Sequence, residues 1–315
     1  MQVRDLFYGA EKLRALWRVL LFLVLTIAGI WLLATLAALL LPADMNELWE
    51  LFISSAIFVA AALAASFIMM RGVERRPLAA IGLPRRGWVR ESLRGALIGI
   101  GFIAALALIM LAMGWYRPEP DAGSVVGWLE HVVGLGLLLV VAAAAEELIF
   151  RGYPFQVLVE GMGVTLAIVI SSAAFAWLHI FNPEVGPIAL FNIALAGILM
   201  AVAYLRTRSL WVAIGLHWGW NWVMAAIFDL PVSGIDFDVP GYDIRAVGPD
   251  GITGGAFGPE AGLMTTLLSL PVILWAVRTR WLRESPQMAE LRPLVDARLS
   301  RQKVAEPDGR RPPLP

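Results

Sequence analysis

The sequence predicts an all-α fold, a polytopic transmembrane helical bundle of about eight spans. Three observations carry that expectation. Of the 315 residues, 59% are hydrophobic and 16% charged, against a charged share of about 25% in soluble domains. Mean hydropathy is +0.73, and the apolar residues fall in long blocks. Such blocks default to helix, because backbone in lipid has to satisfy its own hydrogen bonds. Arg and Lys, in turn, collect in alternate loops, as the positive-inside rule requires.

The first apolar block, residues 19–41, contains 23 uncharged residues. It exceeds the roughly 15 of a secretory h-region and crosses a ~30 Å hydrocarbon core at about 1.5 Å per residue. A retained span is therefore expected rather than a cleaved signal. Further spans are expected at 51–70, 95–115, 128–150, 163–181, 188–205, 210–228 and 261–277, with no internal repeat. With the N-terminus inside, an arm holding Arg4, Lys12, Arg14 and Arg18 faces the cytoplasm. So do the 71–94 loop, Arg151, the Arg206–Arg208 turn and the tail. Of the 25 cations only Arg117 and Arg245 then lie outside, and a seven-span chain would break the alternation.

The expected organisation is a bundle over residues 1–283 and a cytoplasmic tail over 284–315, a surface helix followed by partial disorder. A Gly- and Asp-rich extracytoplasmic loop covers 229–260. That loop reads as a flexible connector, with a cover over the bundle as the sharper alternative. The expected location is the cytoplasmic (plasma) membrane with both termini cytoplasmic, in contact with membrane lipids. The formal net charge is zero, which gives no basis for a nucleic-acid partner. There is no cysteine, so disulfides, thiolate nucleophiles and Cys-ligated zinc are excluded.

Ionisable residues inside spans are costly and mark function by default. Here they form a pattern. The fourth span carries Glu146, Glu147 and Arg151, the fifth His179, and the seventh His217 and Asn221. Glu147 and Arg151, Phe175 and His179, and His217 and Asn221 are each four residues apart and share a helix face. An antiparallel hairpin turning at Gly161-Met162-Gly163 sets Glu146 level with His179, each about sixteen residues away. Sixteen helical residues span about 24 Å. The segment 152–170 is therefore expected to project partly beyond the bilayer or lie in its interface, with the site in the cytoplasmic half.

Such a set suits peptide-bond hydrolysis. Glu146 can act as general base on a water that His179 also holds. His217 and Asn221 can direct donors at a developing oxyanion. Glu147 and Arg151 can orient the base or bind an anionic substrate group. Glu146, His179 and His217 could instead ligate a divalent metal such as Zn²⁺ with an open position, although no His-Glu-x-x-His motif is present. Phe175 and the tryptophans around His217 read as packing, and His131 has no expected role.

Glu-Glu-x-x-x-Arg at 146–151, Phe-x-x-x-His at 175–179 and His-x-x-x-Asn at 217–221 are each unspecific alone. In that order on membrane helices they resemble the CPBP intramembrane proteases. That family includes the type II CAAX prenyl endopeptidases and the Abi-type, bacteriocin-processing relatives. The resemblance covers about residues 128–228, and every motif position is filled. It implies an endopeptidase acting on a membrane-bound peptide or protein, by a metal or a metal-free glutamate mechanism. It does not imply a prenylated substrate. Two other classes stay open: a proton- or ion-coupled transporter, and a non-catalytic scaffold or immunity protein. Transporters often show repeats and paired broken helices, and the sequence has neither.

Overall fold

Every expected apolar block folds as a helix. A computed structural model of the chain describes residues 13–42 and 44–296. The first helices are α1 (Ala15–Leu40), α2 (Glu47–Ile68, continued by a π turn to Val73) and α3 (Trp88–Ala112). Next come α4 (Val125–Phe150), α5 (Tyr153–Met162) and α6 (Val164–Leu178, with a 3-10 turn His179–Phe181). They are followed by α7 (Pro187–Thr207), α8 (Leu210–Trp222, continued by a π turn to Ile227), α9 (Leu263–Arg278) and α10 (Pro286–Leu291). Strands β1 (Tyr116–Pro120) and β2 (Tyr242–Ala246) pair antiparallel, tying the α3–α4 connection to the long loop after α8.

Among the described residues, six helical stretches are long and apolar enough to cross a membrane: 15–40, 47–73, 88–112, 125–162, 164–181 and 187–207. The chain is thus an all-α polytopic bundle. The last two expected spans are helices of smaller reach. The π turn carries α8 to residue 227, and α9 has 16 residues, about 24 Å of helix. Lipid-facing surface is plain in α1, which buries only Arg18, Phe22 and Thr26, one stripe at i, i+4 and i+8.

The site is positioned by α8, which packs on α3, α4 and α7. Its contact with α3 is a double glycine match, Gly95 and Gly99 against Gly215 and Gly219. A Cβ at Gly95 would lie 2.0 Å from the Val212 carbonyl oxygen, and one at Gly215 would lie 2.0 Å from that of Ser92. Small residues four apart let the two backbones touch, the usual way membrane helices associate without a hydrophobic drive. At 100° per residue, His217 and Asn221 stand about 200° from these glycines. One face of α8 is therefore locked to α3, and the opposite face carries polar groups into the bundle.

The path after Arg151 differs from a simple hairpin. Helix α4 stops at Phe150, and α5 is a separate ten-residue helix with Pro154 in its first turn. Proline has no N–H for the Phe150 carbonyl and its ring would clash there. The freed carbonyl accepts a hydrogen bond from Ser171 Oγ of α6 at 3.0 Å instead. The chain then reverses at Gly163, whose φ of 92° suits glycine. Segment 153–159 is largely buried by protein against α1 and α6.

The beginning of the tail is also packed. Leu294 and Val295 are buried, and the Leu294 N–H donates to Gln156 Oε1 at 2.8 Å. The expected disorder therefore does not begin directly after α10. Arg18, counted above as a topology signal, is buried between Glu74 (2.7 Å) and Glu160 (2.8 Å). Arg4, Lys12 and the tail after residue 296 lie outside the described residues.

If the glycine contact sets the position of α8, Gly95→Ala and Gly215→Ala each lower the thermal midpoint in detergent by an amount equivalent to about 1–3 kcal/mol. Gly101→Ala, with nothing within 4 Å of its Cβ, leaves it unchanged. Equal midpoints in all three variants would refute this role.

Candidate active site

Glu147 and Arg151 form the buried base of the site. Both side chains have zero exposure, and Arg151 Nη1 donates to Glu147 Oε1 at 2.9 Å. Helical spacing puts the two on one face, and α6 to α8 close around them. Arg151 Nη2 donates to the Gly197 carbonyl of α7 at 3.2 Å. A Cβ at Gly197 would sit 3.1 Å from that nitrogen, so a bare backbone is what admits the guanidinium. The guanidinium carbon lies 4.4 Å from the centre of the Phe175 ring of α6, a cation–π contact in a water-poor setting. The same Glu147 Oε1 accepts from His217 Nδ1 of α8 at 3.0 Å.

Phe175 is the aromatic centre of this arrangement. Its ring meets Phe150 edge-on at 5.2 Å, His217 edge-on at 5.9 Å and His179 at 5.0 Å. His179 is the first residue beyond α6, where the helix tightens into its 3-10 turn. Its Nδ1 lies 2.9 Å from the Phe175 carbonyl. Carboxylate and carbonyl oxygens here accept, so Nδ1 carries the hydrogen in both histidines and Nε2 is the free nitrogen.

A cavity of about 400 Å³ opens above this base, walled by α2, α4, α6, α7, α8 and the loop after α8. Glu146, His179, His217 and Asn221 all line it. His217 Nε2 stands 3.9 Å from Glu146 Oε2. The remaining wall is mostly apolar, with Leu138, Ala142, Phe150 and Leu216 among its members. Glu147 and Arg151 lie behind the wall, so Arg151 is not available to an anionic substrate group; of the two expected roles, orientation is the one its burial permits.

The donor set is chemically suited to a divalent ion such as Zn²⁺: two imidazoles anchored through Nδ1–H, and a carboxylate. The spacing does not fit. Glu146, His179 and His217 do not bring three ligand atoms within 4.8 Å of one another; among the described residues only Asp121, Asp238 and Asp243 do so, in the exposed region beside the β1–β2 pair. Partial burial, with Asp236, Asp243 and Asp238 nearby, raises the Asp229 carboxyl to about 6 beside that group.

The loop over 229–260 is a wall of the cavity rather than a free connector. Val232, Ser233, Ile235, Phe237 and Glu260 line it. Glu260 escaped sequence reasoning because one acid in a Gly-rich loop carries no spacing signal. Gly197 escaped it because its partner is on another helix. Pro154 and the helix break before it escaped it as well, because the 146–179 spacing was read as one simple hairpin.

Residues 128–223 match the family described as Rce1-like, type II CAAX prenyl endopeptidase Rce1-like. A domain of the CAAX protease (CPBP, Abi-type) family is therefore present over those residues, in a chain with several membrane-crossing helices. The matched stretch runs from the start of α4 through α8 and includes all three polar motifs. No curated protein and no solved structure matches the chain.

Proposed function

We propose that the protein is an intramembrane endopeptidase that hydrolyses a peptide bond in a membrane-associated or lipid-modified substrate. One observation carries the reading: Glu146, His179, His217 and Asn221 line a single, mostly apolar cavity. Family membership of residues 128–223 supports the same class.

In this mechanism Glu146 takes a proton from water, and the water oxygen bonds to the scissile carbonyl carbon. His179 Nε2 accepts the water's other hydrogen and orients its lone pair. The carbonyl π electrons pass to oxygen, which Asn221 Nδ2 and His217 stabilise. With Nδ1–H held by Glu147, His217 Nε2 donates there only as imidazolium, and Glu147 supplies the counter-charge. Glu146 then returns its proton to the departing nitrogen as the C–N bond breaks. Arg151 fixes Glu147 and acts as a positioning residue. Given the spacing above, no step is assigned to a metal.

The test uses purified protein and Glu146→Ala, incubated with membrane-anchored and C-terminally lipidated peptides, with and without chelator, and read by mass spectrometry. The native protein is expected to cleave and Glu146→Ala to lose at least about 10²-fold, with no effect of chelator. Equal cleavage by both proteins would contradict the assignment of Glu146. Loss on chelation with Zn²⁺ rescue would replace the metal-free step.

We further propose eight crossings, with α8 and α9 as the two short ones, and both ends in the cytoplasm of the plasma membrane. The cation distribution supports it. Cysteines placed at Asp121 and Asp243 in intact cells are expected to react with an impermeant maleimide, and one at Arg86 is not. The reverse pattern would invert the topology.

A further inference from the structure

Glu260 lies outside the matched domain and outside the proposed mechanism, yet its carboxylate is buried and lines the same cavity. Among the described residues it has no cationic partner. It accepts from three neutral donors: Trp220 Nε1 of α8 at 3.1 Å, and the Ser233 N–H and Oγ at 2.8 and 2.7 Å. A buried carboxylate held by neutral donors alone is an expensive group to keep.

Its partners show what it joins. Val232–Ile235 is a tight reverse turn, with reciprocal backbone bonds of 2.8 and 2.9 Å between its ends. Ser233 and Gly234 at the centre both have positive φ, 50° and 85°, as a type I′ turn needs. The tip is wedged. Gly234 N–H donates to the Phe257 carbonyl at 2.9 Å, and a Cβ at Gly234 would meet the Pro183 carbonyl oxygen at 2.4 Å. The Ser233 carbonyl accepts from Asn182 Nδ2 at 2.8 Å, three residues beyond His179. The Glu260 carbonyl is itself held by Asn192 Nδ2 of α7 at 2.8 Å. One carboxylate thus connects the loop to α8 beside Asn221, and through Ser233 to the segment that carries His179.

We propose that Glu260 is a positioning residue: it latches the 232–235 turn against α8 and the end of α6, setting the outer wall of the cavity and access to it. Val232, Ser233, Ile235 and Phe237 form the flap, and Glu260 is its catch. Removing the charge weakens three hydrogen bonds at once and populates an open flap. The latch extends the proposed site, but its test needs no substrate.

The chain has no cysteine, so single reporters are clean. Ala142→Cys reports the cavity wall; Val125→Cys, on exposed surface at the start of α4, reports general reactivity. Each is combined with Glu260→Gln in detergent, and the rate of maleimide modification is measured. The cavity reporter is expected to react about tenfold or more faster, in line with the loss of a hydrogen bond to a charged group. The Val125 reporter is expected to keep its rate. An unchanged Ala142→Cys rate, or equal acceleration of both reporters, would overturn the latch. If Glu260→Gln does not fold, Ser233→Ala removes only the hydroxyl donor and is expected to give a smaller acceleration of the cavity reporter alone; no acceleration there would overturn it equally. Absence of protease activity would leave these rates standing, and unchanged rates would leave the hydrolytic reading standing.

Discussion

The site depends on one buried ion pair. Glu147 and Arg151 lose all contact with solvent, a costly step unless each finds several partners. The fold supplies them from four helices. Helix α4 provides both charges, α6 the Phe175 ring, α7 the Gly197 carbonyl and α8 the His217 imidazole. None of these contacts can be kept if a helix slides by a turn. The pair therefore acts as a register pin for the four elements that surround the cavity. It also accounts for the division of labour between adjacent glutamates, one facing inward to structure and the other toward the cavity.

The frame behind the pin comes from backbone contact rather than side-chain volume. Lipid offers helices little hydrophobic reason to associate, so close approach and polar contacts decide the packing. The glycines of α3 and α8 supply the first, and the Ser171 bond to the Phe150 carbonyl is an example of the second. The same Ser171 contact satisfies the carbonyl that Pro154 leaves free, and thereby permits the break after Arg151. A continuous helix would have carried α5 onward instead of turning it under α1. Local sequence and tertiary packing agree at this point.

Much of this was legible in the sequence. Hydropathy blocks locate all the long helices, with ends off by up to seven residues at Trp88, because a membrane span is set by length and composition more than by partners. The i, i+4 spacing of Glu147 and Arg151 and of His217 and Asn221 gives the shared faces directly. The glycine pairs at 95/99 and 215/219 emerge only from the packing, where each bare backbone meets the other helix. The sequence reading was less informative wherever a contact joins distant segments. Nothing in the Gly- and Asp-rich loop says that Ser233 and Glu260 face the cavity, since loop geometry has no period. Glu146 and His179 do line one cavity, as the hairpin spacing implies, but the chain reaches that arrangement through a break at Gly152 and Pro154 that the spacing does not show. The complete burial of Arg151 was likewise not legible, because burial cannot be read from spacing alone.

Arg151 and His217 are coupled through a single oxygen of Glu147. A double-mutant cycle in detergent tests it most directly, using Arg151→Met, His217→Phe and the pair, with unfolding free energies as the readout. Breaking a buried pair by removing Arg151 is expected to cost about 3–5 kcal/mol. The double variant is expected to depart from the sum of the single losses by about 1–3 kcal/mol, the range for residues sharing one hydrogen-bond network. Additivity within about 0.5 kcal/mol would contradict the account, because it would mean the two side chains do not meet at Glu147.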